Sequence, residues 1–134
     1  LWAMDADVKN MFFVVVGCIL YKPTFDPECD LPETLVKKGM WACEAALWCQ
    51  YATVYGPLSG GPAGADVILL SAREFQDIMR ATNLRLMLCE YARTFVRTFN
   101  DCSRDQSSMD YLFNDVDVVR SMISSLEAKR TEGK

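Results

Sequence analysis

Residues 39–58 contain one charged side chain, Glu44, in 20 positions, and this apolar segment constrains the fold more than any other feature of the chain. Upstream, Asp30 is suited to cap the N-terminus of a helix. Downstream, Gly56 and the proline after it form a helix terminator. The segment 31–55 is therefore predicted to be one helix that is apolar on nearly every side. Such a helix must lie at the centre of a bundle, in lipid, or against a partner protein.

The predicted helix has two surfaces that differ in side-chain size. On one, Trp41, Trp48 and Tyr55 recur every seven residues and form a nearly straight aromatic ridge. Aromatic anchors are enriched in interface hot spots, so the ridge is a candidate partner surface, while a helix wrapped completely by its neighbours is the simpler interpretation. The other surface is a stripe of small residues that would let another helix approach closely. The stripe consists of Gly39, Ala42, Ala46, Cys49 and Thr53.

The rest of the chain supplies further segments with apolar residues at helical spacing. The segment 71–82 opens with a capping box of Ser71 and Glu74. A competing interpretation of the first segment takes 12–16 as a buried strand, because its Val-Val-Val run is β-branched. We favour an all-α fold, with 1–134 as a single domain. The predicted bundle has about five helices, at about 5–21, 31–55, 71–82, 84–100 and 108–128.

Arginine provides every basic residue between Lys38 and Lys129. Its guanidinium favours bidentate pairing with carboxylates, so Arg93 and Arg97 on the predicted helix 84–100 form a second candidate partner surface, for an acidic segment. Acidic residues lie three or four positions from several of these arginines, within reach of salt bridges on one helix. A solvated face with internal ion pairs is therefore the simpler interpretation.

Catalysis has little support in the sequence. The chain has no histidine, so the usual general base is missing and neither a Ser-His-Asp nor a Cys-His site can be built. No C-x-x-C pair and no phosphate-binding G-x-x-x-x-G-K-[ST] motif is present. We expect no enzyme activity, no cofactor and no metal site, with a carboxylate mechanism left open.

The polar segment 101–110 lies between two predicted helices, as the loop of an EF-hand does. Counted from Asp101, however, the sixth position is Gln106 instead of glycine and the twelfth is Leu112 instead of glutamate. A degenerate EF-hand-like regulatory domain without ion binding is therefore an alternative to the protein-binding function.

The net charge and the cysteines limit which partners and which cellular compartment we expect. A net charge of −4 opposes attraction to nucleic acid. A membrane-associated subunit that uses 31–55 is a further alternative, opposed by the carboxyl group of Glu44 in the middle of the segment. Four of the six cysteines fall in apolar helical patterns, so we expect reduced thiols and a reducing intracellular compartment.

Together these features predict a nonenzymatic helical protein that binds other proteins, as an accessory subunit or adaptor of a larger assembly.

Overall fold

The computed structural model describes residues 6–22, 33–50, 53–54, 56–104 and 116–132, and it shows a protein of mixed α and β structure. The chain separates into two compact units. The first comprises Leu1–Phe75 with Asp110–Asn114, and the second comprises Gln76–Met109 with Asp115–Lys134.

The described residues of the first unit form mainly strands, with one short helix among them. Its described elements are β1 (Ala6–Asp7), β2 (Asn10–Tyr21), β3 (Thr34–Lys37), β4 (Trp41–Ala42), α1 (Ala45–Trp48), β5 (Thr53–Val54) and β6 (Leu58–Ser71).

Strand β2 is the centre of an antiparallel sheet. One edge of β2 pairs with β6 along its whole length, from Asn10 opposite Ser71 to Tyr21 opposite Leu58. β3 and β4 pair with the same stretch of β2, so they occupy its other edge. Between them the Gly39 N–H donates to the Val14 carbonyl at 2.9 Å, which continues the pairing. β1 and β5 form a separate antiparallel pair.

Successive side chains of a strand point to opposite faces, and the inner face of this sheet is the core. The pairing of β2 with β6 shifts register between Val14 and Val16 and again between Gly17 and Ile19. The first shift is a bulge in β2. Before it the residues of β2 that face the core have even numbers, such as Phe12 and Val14, and after it they have odd numbers, such as Ile19 and Tyr21. The core cluster consists of Val8, Phe12, Val14, Ile19, Tyr21, Val36, Ala42, Cys43, Ala46 and Leu58.

The second unit contains long helices. Helix α2 (Ala72–Ala81) begins where β6 ends and runs into this unit, which also holds α3 (Arg85–Arg104) and α4 (Val116–Glu132). α3 and α4 contact each other. Among the described side chains of this pair, the buried ones are Phe95, Phe99, Val119 and Met122.

The all-α prediction is wrong, and the error lies in the first half of the chain. The described part of the predicted helix 5–21 is strand, mainly β2, as the competing interpretation of 12–16 had it. The predicted helix 31–55 is replaced by β3, β4, the four-residue helix α1 and β5. Gly39, with φ +82°, stands in the turn between β3 and β4. A residue in the left-handed region interrupts any helix, and glycine adopts this region at no steric cost.

In the second half, the predicted helices at 71–82 and 84–100 are confirmed as α2 and α3. The predicted helix 108–128 corresponds to α4 from Val116 onward, and residues 108–115 lie outside the described residues. A single domain over the whole chain stays a prediction from its length.

Candidate functional site

Among the described residues, the charged side chain that is buried is Glu44, with 5% of its surface exposed. Its carboxylate accepts a hydrogen bond from each of two indoles. Trp41 Nε1–H donates to Oε2 at 2.9 Å, and Trp48 Nε1–H donates to Oε1 at 3.1 Å. The sequence predicted both tryptophans as neighbours on a helical ridge, whereas the structure joins them through one carboxylate.

A sharp change of chain direction positions this cluster. Trp41 belongs to β4, Glu44 precedes α1, and Trp48 is the last residue of α1. Cys43, with φ +64°, turns the chain from the strand into the helix. A non-glycine residue in the left-handed region costs roughly 1 kcal/mol, and burial of the Cys43 side chain in the core fixes this conformation.

Trp48 extends the cluster to Phe75, in the first turn of the helix that follows β6. Its ring meets the ring of Phe75 edge to face, with centroids 5.3 Å apart and planes at 84°. This geometry is favourable for aromatic rings because the positive edge of one faces the negative surface of the other. Glu44 and Phe75 therefore hold the Trp48 indole from two sides.

On the outer face of the sheet, three large apolar side chains lie side by side across the strands. Phe13 of β2 is opposite Trp41 of β4 on one edge and opposite Ile68 of β6 on the other. We call Trp41, Phe13 and Ile68 the outer apolar row. Neighbouring strands are about 4.8 Å apart, so the row extends about 10 Å across the sheet.

The row is accessible to solvent. Phe13 is 36% exposed and Ile68 is 59% exposed, while Trp41 is half-buried. Leu35, also an outer-face residue, is 44% exposed, and Val16 is 54% exposed. Antiparallel sheets with one face in water usually carry polar residues on that face. Met11, on the same face of β2 as Phe13, is only 6% exposed, so the open part of this face begins at Phe13. Apolar side chains gathered on such an open part are typical of an interaction site.

Of the remaining predicted site residues, Tyr55 lies outside the described residues. Arg93 and Arg97 are exposed on α3, in the second unit, and are one helical turn apart. The structure thus brings together Trp41 and Trp48, and it places the two arginines on a different unit.

Sequence reasoning missed Phe13, Ile68 and the role of Glu44. Residues 11–16 are apolar at every position, so the alternation of strand faces leaves no period-two signal that would separate Phe13 from Phe12 and Val14. The isolated charge of Glu44 between two tryptophans was the signal for a buried acceptor. A buried carboxylate requires hydrogen-bond donors, and an indole N–H can only donate.

Burial raises the pKa of the Cys49 thiol, which follows α1. Within the described ranges, no group of three His, Cys, Asp or Glu side chains is arranged to hold a metal ion, and no helix is both long and apolar enough to cross a membrane. α3 continues through Asp101 to Arg104, so a calcium loop counted from Asp101 does not begin there.

No protein-family model, curated protein sequence or solved structure matches the chain.

Proposed function

We propose that this chain is a nonenzymatic protein-binding module, an accessory subunit or adaptor, and that its outer apolar row contacts the partner protein. The observation that carries the proposal is the exposure of Phe13 and Ile68 next to each other on a sheet whose opposite face buries Phe12 and Val14 in the core.

The energetics of this surface favour a partner. Complete burial of a Phe or Ile side chain contributes roughly 1.5–3 kcal/mol, so covering side chains that are one-third to two-thirds exposed contributes about 1 kcal/mol each. Leu35 and Val16 enlarge the apolar area beyond the row.

Trp41 suits this role because its polar atom already has an acceptor. A buried donor left without an acceptor costs about 1–3 kcal/mol. The Nε1–H of Trp41 donates to Glu44, so a partner can cover the ring without leaving this donor unpaired. The row therefore offers apolar surface to a partner, while the indole N–H of Trp41 keeps its hydrogen bond to Glu44 of the same chain.

The test is affinity capture from native material with two matched variants. Ile68→Asp places a charge in the row, and Ile78→Asp places the same charge on α2, at a position that is 65% exposed against 59% for Ile68. We expect a partner captured by the wild-type chain to be lost with Ile68→Asp and kept with Ile78→Asp, at least a tenfold difference in yield. Equal capture by both variants would contradict the proposal.

The arginine surface stays a second proposal for the same class of function. Arg93 and Arg97 are both exposed and lie on one face of α3, so a carboxylate-rich segment can contact both. The double variant Arg93→Glu, Arg97→Glu separates the two surfaces. Partner loss in this variant but not in Ile68→Asp would place the interface on α3.

A further inference from the structure

We infer that the partner of the outer apolar row is a second copy of this chain, packed face to face about a two-fold axis that runs along β2. The inference rests on the proposed function and specifies its partner. Its basis is that the outer face is complementary to itself, both in the placement of its apolar side chains and in charge.

The register of the sheet provides the first argument. β2 is central, and Trp41 and Ile68 are on opposite sides of it at the level of Phe13. Consider a two-fold axis that runs parallel to β2 in the plane where the two copies touch. It places the β4 side of one copy over the β6 side of the other, and it leaves each residue at the same position along the direction of β2. Trp41 of one copy therefore meets Ile68 of the second copy, and each Phe13 meets its counterpart. Self-complementarity of this kind is what a closed dimer requires.

Charge provides the second argument. Lys37 is opposite Cys18 on the β3 side, and Asp66 is opposite Val16 on the β6 side. Lys37 is two residues from Leu35 on the same strand, Asp66 is two residues from Ile68, and both charges are exposed. The outer face thus carries a cation along one edge and an anion along the other.

The same two-fold axis brings these opposite charges together. Lys37 of one copy faces the β6 side of the second copy, two residues along the strand from Asp66. Two strand residues span about 7 Å, a distance that the long lysine side chain can cover. Two such pairs form in the dimer, while the net charge of −4 is spread over the whole chain and screened beyond about 8 Å at physiological salt.

The first experiment measures the mass of the full chain by light scattering over a wide concentration range. We expect a transition from monomer to dimer, and we expect Ile68→Asp to move its midpoint to at least tenfold higher concentration. A chain that stays monomeric at every concentration would overturn the inference. Circular dichroism confirms that the exposed substitution leaves the fold intact.

The second experiment uses charge exchange, which identifies the contacts. Lys37→Asp gives a chain with aspartate at both positions, and Asp66→Lys gives a chain with lysine at both. Each variant alone repels its own copy, so we expect dimerisation to weaken roughly tenfold or more. Mixed in equal amounts, they form two favourable pairs per dimer, and we expect a heterodimer about as stable as the wild-type dimer.

Two matched controls make this result specific. Arg85→Asp and Asp101→Lys, both at exposed positions of α3, change the net charge by the same amounts away from the proposed pair. We expect their mixture to show no preference for the heterodimer. An equal preference in both mixtures, or none in the first, would overturn the two-fold arrangement.

The outcomes also separate this inference from the function on which it rests. A monomeric chain that loses a different captured protein on Ile68→Asp keeps the proposed function and excludes the second copy. A dimer that Ile68→Asp leaves unchanged excludes both the two-fold arrangement and the role of the row in self-association.

Discussion

The sheet of the first unit and the helices of the second achieve order by different means. In the sheet, Asn10 pairs with Ser71, and one core collects side chains from β2, β3, β4, α1 and β6. In the described part of the helices, the buried side chains are four residues of α3 and α4, and the ion pairs join residues three apart on one helix. The sheet thus depends on contacts between distant parts of the sequence, and the helices depend more on local ones.

This difference predicts that substitutions are tolerated better on the helices than in the sheet. A sheet with one buried face has a register that no residue can change alone, because a slip by one position moves its side chains to the other face. A helical surface pair can be removed with little effect on its neighbours. The three residues of the outer apolar row belong to strands of this sheet, so the sheet holds them in fixed relative positions. Fixed positions suit a surface that binds a partner.

The largest expected effect concerns two glycines of the sheet unit. Gly17 and Gly39 both have positive φ, +73° and +82°, so alanine is strained at each. A Cβ at Gly17 would overlap the carbonyl oxygen of Gly64, while a Cβ at Gly39 has no atom within 4 Å. We expect Gly39→Ala to cost about 1–2 kcal/mol from strain alone and Gly17→Ala to cost at least about 3 kcal/mol.

Urea unfolding of the two variants provides the measurement. Because the strain is common to both, the difference between them reports the contact with β6. Equal costs would mean that β2 and β6 are not closely paired at this point.

The next effect concerns Glu44. Glu44→Ala removes the acceptor of two indole donors, and hydrogen bonds to charged groups contribute about 1.5–3 kcal/mol each, so we expect a loss of roughly 3–6 kcal/mol. Glu44→Gln keeps one acceptor oxygen and is expected to lose about half as much. The indole N–H signals of Trp41 and Trp48 in ¹⁵N-resolved NMR spectra should both shift. Unchanged signals would exclude the shared carboxylate.

A smaller effect follows from Cys49, whose thiol pKa burial raises. The folded chain then holds this proton more tightly than the unfolded chain does. The associated stability is complete below the unfolded pKa of about 8.5 and is lost as the pH rises through the higher folded value. We expect Cys49 to react with iodoacetamide severalfold more slowly in the folded chain at pH 8.5 than in urea, measured by peptide mass spectrometry. Equal rates would contradict its burial.

The smallest effect tests the tolerance of the helices. Arg80 and Asp77 form an ion pair at 3.0 Å, with side chains 71% and 60% exposed. Exposed pairs contribute about 0–1 kcal/mol, so we expect Arg80→Ala to lower the free energy of unfolding by less than about 0.5 kcal/mol. A loss above 2 kcal/mol would show that this helix depends on more than local contacts, and would weaken the contrast between the units.

The limits of prediction from this sequence follow the same division. The helices at 71–82 and 84–100 were predictable because capping residues and apolar spacing are local signals. The segment 31–55 was not, since its apolar residues occur at almost every position and satisfy a helical period as well as a strand period. The partner of β2 lies some fifty residues away in β6, and the sequence contains no local sign of that pairing.

The candidate site was predictable only in part. The importance of Trp41 and Trp48 was evident from the sequence, but their arrangement depends on the left-handed conformation of Cys43. That conformation is uncommon for residues other than glycine, so the sequence did not indicate it. Phe13 and Ile68 become neighbours only through the strand register, so they could not be paired before the sheet was known.

Hydroxyl-radical footprinting tests the central claim most directly, because oxidation reports how much of each side chain solvent reaches. The comparison is between the free chain and the complex that the wild-type chain forms, with Ile78 and Leu86 of the helices as references, at 65% and 81% exposure. We expect oxidation of Phe13 and Ile68 to fall severalfold in the complex while Ile78 and Leu86 keep their rates. Protection of Ile78 and Leu86 with no change at Phe13 and Ile68 would contradict the account.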